Sequence, residues 1–354
     1  MKTIVFILPD LNQGGAERVI TILCNHLDRS KFKPKLILFK KEGHFLNDLK
    51  RDVEIIELNV SRTRYSIFKI IPLIKKLNPD IVFTGWGEIS AFLSLFIPLF
   101  PKTKFIARET NVVSEHVTRN EILFFYRFYK NFHQIIAQSD DMKNDLINNF
   151  RISENRIVKI NNPVDFDIIN TMKNQNITTG YNKSYKNIVA VGNLSPRKGF
   201  DLLLNVMNEL KRESIALTIL GDGAFKDELL LQQEQLKLNQ VTFKGKVNNP
   251  YVYLKQADLF ILSSRYEGFP NVLLEAGACG TYSLANNCPG GINEIIQEGI
   301  NGEIFSINNP KEAANKIKEV LLNEPKENQI ISSIYSRFNK EIIIKQYQTI
   351  FETI

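Results

Sequence analysis

Cysteine is scarce in this chain. Its 354 residues hold only Cys24, Cys279 and Cys288, and no two of them form a Cys-x-x-Cys pair. An odd, scattered set argues against a disulfide scaffold or a zinc site, and for free thiols in a reducing compartment. Long apolar runs are missing too. The longest, residues 89–100, has about half of the ~20 residues that span a bilayer, and reads as a buried helix. The first ten residues are no signal peptide, because their apolar run stops at Pro9 and no small-residue cleavage site follows. These absences predict a cytoplasmic protein. No Asp-x-Asp metal motif sits at a strand end, and the only adjacent aspartates, Asp140-Asp141, open a helix. The second half has no histidine: His26, His44, His116 and His133 all precede it. No motif for RNA or DNA is visible, so nucleic acid is not an expected partner.

What is present is ordinary in bulk and uneven in distribution. The chain is 44% hydrophobic and 23% charged, the composition of a globular protein. Its length is comfortable for two cores. Nearly all of the net charge of +7 falls in residues 1–170. A basic half suggests an anionic partner, such as anionic lipid or a phosphorylated substrate. Residues 61–76 and 121–132 mix Arg and Lys with Ile, Phe and Tyr, as interfacial helices do. Two readings of them stand: contact with the inner face of the cytoplasmic membrane, or ordinary amphipathic packing.

Strand-like and helix-like segments alternate. An apolar run at residues 4–7 leads to a glycine loop, Gly14-Gly15, and then to Ile20, Leu23, Cys24 and Leu27 at helical spacing. Ile67, Ile70, Ile71 and Ile74 repeat that period ahead of a strand at 81–83. Further strands are expected at 36–39, 53–58, 104–107, 135–137 and 157–160. A polar stretch, roughly residues 170–186, then interrupts the pattern and reads as a linker or surface loop. The alternation restarts with strands at 188–191, 217–220, 241–243 and 259–262, and a last apolar helical period begins near Ile342. This predicts an α/β protein of two Rossmann-like domains facing a central cleft. The first covers residues 1–166, a linker 167–186, and the second 187–335. Residues 336–354 form a C-terminal helix free to cross back to the first domain. Ligands of open α/β sheets bind beyond the carboxyl ends of the strands, which singles out the loops there.

One loop is dense in chemistry. After the strand at 259–262 comes Ser263-Ser264-Arg265-Tyr266-Glu267-Gly268-Phe269-Pro270-Asn271-Val272-Leu273-Leu274-Glu275. Glu267 sits in the loop, and a helix should start near Asn271, a good cap. Glu275 then lies about one turn into that helix. The N–H groups of Val272 and Leu273 would point at a phosphate above the helix start. The two carboxylates would repel that phosphate unless they face sugar hydroxyls, for which they are strong acceptors. Arg197 and Lys198 offer the matching positive charge from another loop, where Gly192 and Gly199 let the backbone pass close.

Glu267 and Glu275, with seven residues between them, resemble the Glu-x7-Glu signature of retaining glycosyltransferases of family four, which have the GT-B fold. The surroundings are similar too: Gly192-Asn-Leu with Arg197-Lys198-Gly199, Gly221-Asp-Gly, and Pro289-Gly-Gly-Ile-Asn-Glu294 running on to Gly299-x-Asn-Gly302. Asn162-Pro163-Val164-Asp165 resembles the family's domain junction, and Gly14-Gly15-Ala16-Glu17 its first glycine loop. The resemblance implies a donor that is a nucleotide sugar, a UDP-sugar first, and no other cofactor. Arg197 and Lys198 would bind its diphosphate, Glu275 its ribose, and Glu267 would sit beside the transferred sugar. The backbone of Gly268, Phe269 and Asn271 would contact sugar hydroxyls, and Val272 and Leu273 the distal phosphate. Gly245-Lys246-Val247 would hold the base, and Gly15 would approach the diphosphate from the first domain. The acceptor would be a lipid-linked glycan or a growing polysaccharide.

The sequence departs from the family at one place. Many members carry a histidine near the transferred sugar, after the fourth or fifth strand of the first domain. Here that stretch reads Arg108-Glu109-Thr110-Asn111. Glu109 and Asn111 become candidates for sugar contact or proton relay, or the segment only shapes the cleft. A metal-independent same-face displacement fits the residues, since none is placed as a covalent nucleophile. A sugar-nucleotide epimerase and a non-catalytic nucleotide-sugar-binding subunit remain alternatives.

Overall fold

The computed structural model describes every residue except Gln13 and Glu324. The chain divides into two compact units, Met1–Pro163 with Lys340–Ile354, and Val164–Asn339. Each is built on one parallel sheet.

The first sheet has seven strands: β1 (Lys2–Leu8), β2 (Phe32–Leu38), β3 (Glu54–Glu57), β4 (Ile81–Thr84), β5 (Lys104–Arg108), β6 (Gln134–Ala137) and β7 (Ile157–Lys159), in the order β3-β2-β1-β4-β5-β6-β7. Ile4 to Leu8 of β1 are all buried. That unbroken apolar run is what a parallel strand covered on both faces requires. Val5, Ile7, Val82 and Phe105 point to one layer of helices, which includes Thr63–Leu77, Gly87–Ser94 and Asn120–Tyr126. Ile4, Phe6, Phe83 and Ile106 point to the other, formed by Gly15–His26 and Lys340–Thr353. Strand order reverses between β1 and β4, so the loops after them flank the crevice of this sheet.

The second sheet has six strands: β8 (Lys186–Val191), β9 (Ile215–Leu220), β10 (Val241–Gly245), β11 (Leu259–Leu262), β12 (Ser283–Asn286) and β13 (Gly302–Phe305), in the order β10-β9-β8-β11-β12-β13. Its reversal lies between β8 and β11. Ile188, Ala190, Leu217 and Ile219 face one core, and Val189, Leu220, Phe260 and Leu262 the other.

Two of the expected boundaries move. Residues 167–186, expected as a linker or surface segment, belong to the second unit. Phe166–Lys173 is a helix whose first turn is capped by the Asp165 carboxylate, which accepts from the N–H groups of Asp167 and Ile168 at 3.2 and 3.3 Å. It buries Phe166 and Ile169 in the second unit's core. Two inward apolar side chains suffice for so short a helix, and the polar rest of the segment hid them. Residues beyond it are tied down as well: Thr179 donates to Gln256 at 3.0 Å, and Tyr181 to the Tyr253 carbonyl at 3.1 Å. At the other end, 336–354 is not one helix. Glu327–Phe338 ends the second unit, and a new helix, Lys340–Thr353, returns to the first. There Phe351 sets its ring edge-on against Phe6, Phe32 and Phe83.

Residues 89–100 split into part of Gly87–Ser94 and a short 3-10 turn, Ile97–Leu99, with Ile89, Ala91, Leu93 and Ile97 buried. Among the described residues no helix is long and apolar enough to cross a membrane. All three cysteines are buried, and none is in a disulfide.

Candidate active site

The crevice of the second sheet brings together the residues that the sequence analysis singled out. The chain leaves β8 through a loop that ends in a 3-10 turn, Pro196–Lys198, and a left-handed Gly199 at φ 63°. A Cβ on Gly199 would lie 2.0 Å from the Ser263 carbonyl oxygen. Only glycine therefore lets this loop touch the loop after β11. The contact is stitched by Ser263 Oγ, which donates to the Lys198 carbonyl at 2.7 Å, and by the Arg265 N–H, which donates to the Arg197 carbonyl at 2.8 Å. The Arg265 guanidinium grips Asp201 with two bonds of 2.8 and 2.6 Å.

The stitching points both cations at one carboxylate. Lys198 Nζ lies 2.5 Å from Oε1 of Glu267, and Arg197 donates to Oε2 at 3.0 Å. Ser264, fully buried, adds a hydroxyl bond of 2.6 Å to Oε1. Burial alone would push the Glu267 carboxyl up. The charges of Lys198 and Arg197, with the bonds from Lys198 and Ser264, outweigh it and hold the group below the usual carboxylate range. Glu267 is thus ionised and held in place by three donors.

A third loop, after β12, backs this arrangement. The Glu267 N–H donates to the Pro289 carbonyl at 2.9 Å, and the Gly291 N–H to the Gly268 carbonyl at 2.8 Å. A side chain on Gly291 would enter the Phe269 ring, 2.1 Å from its nearest atom. The Gly221-Asp222-Gly223 turn belongs here too: the Leu194 N–H bonds the Asp222 carbonyl at 3.0 Å, and a Cβ on Gly221 would lie 1.9 Å from the Gly192 carbonyl oxygen.

The helix after this loop is Asn271–Cys279. Its cap is Pro270, not Asn271, and no side chain caps it. Proline's fixed φ sets the entry and leaves Asn271 as the first helical residue. The Leu273 N–H is not free either; it bonds the Pro270 carbonyl at 3.0 Å. The first turn tightens in 3-10 fashion, as helix ends often do. Glu275 is buried one turn in. Gly245 ends the edge strand β10 at φ 72°, its carbonyl taken by the Gly221 N–H at 2.9 Å, and Val247 follows, partly buried. Two strands separate β10 from β11, so these residues flank the crevice and do not line its centre.

In the first unit, Glu109 follows β5 and is buried. Its Oε1 accepts from Tyr129 at 2.5 Å and its Oε2 from Tyr126 at 3.3 Å, the two phenol rings being stacked 4.3 Å apart. Burial raises its carboxyl to about 7, against the two tyrosine bonds. Asn111 is half-buried beside Thr110. Gly15 opens the helix Gly15–His26 after β1.

The sequence reasoning missed two residues here. Glu17, in the first turn of that helix, is buried, and burial lifts it to about 7 with Asp10 adding to the shift. A Cβ on Gly14 would meet its carboxylate at 2.2 Å, which explains a glycine three residues before it. Arg108 is fully buried; it donates to Tyr347 at 3.2 Å and to Asn162 at 2.6 Å, and its Nη1 has no partner. Glu17 could have been noticed in its motif. Arg108 could not, because its partner Tyr347 is far along the chain. Ser264 was visible in its run but carried no role. Among the described residues, no group of three or more His, Cys, Asp or Glu side chains could hold a metal ion.

Residues 13–168 match the family described as Glycosyltransferase Family 4, and residues 171–337 match Glycosyl transferases group 1. The chain is 27% identical over 338 residues to a Campylobacter jejuni N-acetylgalactosamine-N,N'-diacetylbacillosaminyl-diphospho-undecaprenol 4-alpha-N-acetylgalactosaminyltransferase, covering 91% of this chain and 90% of that one. It is 25% identical over 308 residues to the amylovoran biosynthesis glycosyltransferase AmsD of Erwinia amylovora, covering 84% of each. Among solved structures, Anabaena HepE in complex with UDP superposes with a TM-score of 0.81 at 20% identity over the whole of both chains. The glycosyltransferase of Rickettsia africae gives 0.82 at 20% identity over 99% and 98%. Two Rossmann-like units and family matches over nearly the whole length identify the chain as a member of glycosyltransferase family 4, with the GT-B fold.

Proposed function

We propose that this glycosyltransferase moves a hexose or N-acetylhexosamine from a UDP-sugar to a lipid-linked or polysaccharide glycan, with retention of configuration and without a resident metal. The observation that carries the reading is the convergence of Arg197 and Lys198 on the Glu267 carboxylate, at the strand reversal of the second sheet.

The roles follow from chemistry. A departing nucleoside diphosphate develops negative charge. Arg197 and Lys198 are placed to stabilise it, and the start of helix Asn271–Cys279 adds its positive end through Val272. Leu273, its N–H already committed, contributes position only. Glu267 orients both cations and offers its remaining lone pairs to sugar hydroxyls, with the backbone of Gly268, Phe269 and Asn271 beside it. Glu275 is assigned to the ribose, and Gly245 and Val247 to the base. In a same-face displacement the bond from the anomeric carbon to the diphosphate oxygen breaks as the bond to the acceptor oxygen forms. The acceptor's proton passes to the leaving diphosphate, so no protein nucleophile is required. Glu109 is shielded by Tyr126 and Tyr129; we assign it to shaping the end of β5.

The donor and acceptor classes draw on the relatives. HepE of Anabaena is solved with UDP-glucose. The Campylobacter relative is named for transfer to a diphospho-undecaprenol glycan, and AmsD for amylovoran biosynthesis. An acceptor on a lipid carrier would bring the protein to a membrane surface, to which its basic first half is suited.

The test is donor hydrolysis. Purified protein is incubated with UDP-, GDP- and ADP-sugars, with and without EDTA and with no acceptor, and nucleoside diphosphate release is measured. Slow release from a UDP-sugar, lost in Lys198→Ala, supports the reading. Release from GDP- or ADP-sugars alone would reassign the donor, and release abolished by EDTA would sink metal independence. Interconversion of the sugar without release would point to an epimerase.

A further inference from the structure

We infer that the second unit holds a glycan segment in a cup at the amino ends of its strands, at the opposite end of the sheet from the Glu267 crevice. The choice of ligand rests on the proposed glycan acceptor, and the place on the following geometry.

A parallel sheet is as a rule covered on both faces, and its strands are then apolar throughout. Strands β9 and β10 break that rule on one face. Side chains alternate along a strand, so Asn187, Ala216 and Thr218 share the face on which Val189 and Leu220 enter the buried core. Thr242 is the register partner of Thr218, and both Thr242 and Lys244 are exposed. This corner of the sheet is therefore polar and open. It floors a cup of about 400 Å³, rimmed by the turns that enter β8, β9 and β10 with Tyr185, Glu213 and Gln240. Ligand sites commonly measure about 300–1,000 Å³. On the carboxyl side the Lys244 ammonium stands over Gly180, where a Cβ would lie 3.3 Å from it.

The wall of the cup, residues 179–187, is built in advance. The buried Asn187 amide donates to the carbonyls of Asn182 and Tyr185 at 2.9 and 2.8 Å, and the Asn187 N–H donates to Asp258 at 2.7 Å. The Tyr181 hydroxyl donates to the Tyr253 carbonyl at 3.1 Å. Tyr185 is left 37% exposed at the rim. Across from it, the Gln240 amide is oriented by its bond to the Met207 carbonyl at 3.0 Å.

The lining selects the ligand. The hydroxyls of Thr218 and Thr242 and the amides of Asn239 and Gln240 line the cup. Such groups both donate and accept, as sugar hydroxyls do. A tyrosine adds a flat apolar face with a polar tip. A small anion fits less well: the Lys211 ammonium is spent on the Leu236 carbonyl at 2.9 Å, and Glu213 sets a carboxylate on the same rim. A packing helix or a second copy of the chain needs an apolar floor, which two threonines do not give. A glycan segment meets every group present. Held here, its reacting end stays clear of the cup.

The experiment is binding of the full chain, with UDP present, to an array of hexose and N-acetylhexosamine oligosaccharides, followed by titration of the best-bound member in solution. Wild type should bind at least one of them. Thr242→Arg, which fills the floor, and separately Tyr185→Ala, which strips the rim, should each weaken that binding at least tenfold. The second variant keeps the test open if the first misfolds. Lys198→Ala should bind the oligosaccharide as wild type does, and donor hydrolysis should be unchanged in the two cup variants. Absence of wild-type binding, equal binding by the folded cup variants, or binding lost in Lys198→Ala overturns the inference. So does a dimer in solution that Thr242→Arg dissolves. Cup-dependent binding without nucleoside diphosphate release would sink the function reading and leave the cup standing, and release without cup-dependent binding would do the reverse.

Discussion

Lys198 Nζ and Glu267 Oε1 lie 2.5 Å apart in a buried crevice, joined by residues from the ends of two adjacent strands, β8 and β11. Glu267 is held ionised there by the charges of Lys198 and Arg197. A buried ion pair of this kind adds little net stability compared with apolar packing, but breaking one side is costly. Its value is positional: it presents a cation at the strand reversal, where a diphosphate would arrive.

Lys198→Ala should therefore lower donor turnover by about 10²–10³-fold, the usual effect of removing one preorganised group that stabilises developing negative charge. The melting temperature should fall as well, since Glu267 keeps only Arg197 and Ser264. Steady-state release of nucleoside diphosphate, with melting curves on the same sample, is the check. Near-normal turnover in a folded variant would refute the assigned role.

Gly199→Ala acts one step back. The new Cβ would lie 2.0 Å from the Ser263 carbonyl oxygen at a φ of 63°. The left-handed backbone alone costs about 1–2 kcal/mol for a residue with a side chain, and the clash forces the two loops apart. UDP affinity, measured by calorimetry, should drop at least tenfold because Arg197 and Lys198 move with the loop. An unchanged affinity would mean that the cations are not positioned through this contact.

Much of this site was legible in the sequence, and the reasons are local. Glu267, Arg197 and Lys198 sit in loops after apolar strands, and loops there can be read without knowing the tertiary fold. The parallel sheets were legible from alternation with helices. What escaped depends on contacts between distant segments. The helix Phe166–Lys173 needs only Phe166 and Ile169 to face inward, too few to give a visible period. The break at Asn339 leaves no composition signal, because helices on either side share the same apolar spacing. Asn271 looked like a cap, yet Pro270 before it fixes the entry geometry. The burial of Arg108 is set by a tyrosine on the last helix.

Glu109 gives a pH prediction. Its carboxyl titrates near 4.5 when unfolded and near 7 when folded. Between those values the folded chain holds a proton that the unfolded chain has released. Stability contributed by this group is thus full below pH 4.5 and is lost as pH rises through 7. Glu109→Gln keeps an acceptor for Tyr129 and a donor for Tyr126, and removes the titration. The variant should match wild type near pH 4 and exceed it at pH 8 by up to about 3 kcal/mol. Denaturant melts at the two pH values read this directly. A variant that is less stable by the same amount at both would show that the carboxyl is ionised throughout. Glu17 shares the same window, so the pH dependence should shrink in Glu109→Gln and not vanish.

Arg108 and Tyr347 supply the last test. The guanidinium is fully buried, donates to the Tyr347 hydroxyl at 3.2 Å, and already has one nitrogen without a partner. Tyr347→Phe removes that acceptor while keeping the ring against Phe83 and Phe351. Leaving a buried charged donor unsatisfied costs about 1–3 kcal/mol, and the loss should appear in chemical denaturation. Arg108→Met removes the donor itself. In that background Tyr347→Phe should cost less than about 0.5 kcal/mol, because no guanidinium remains to be stranded. Equal costs in the two backgrounds would mean that Tyr347 stabilises through its ring and not through Arg108.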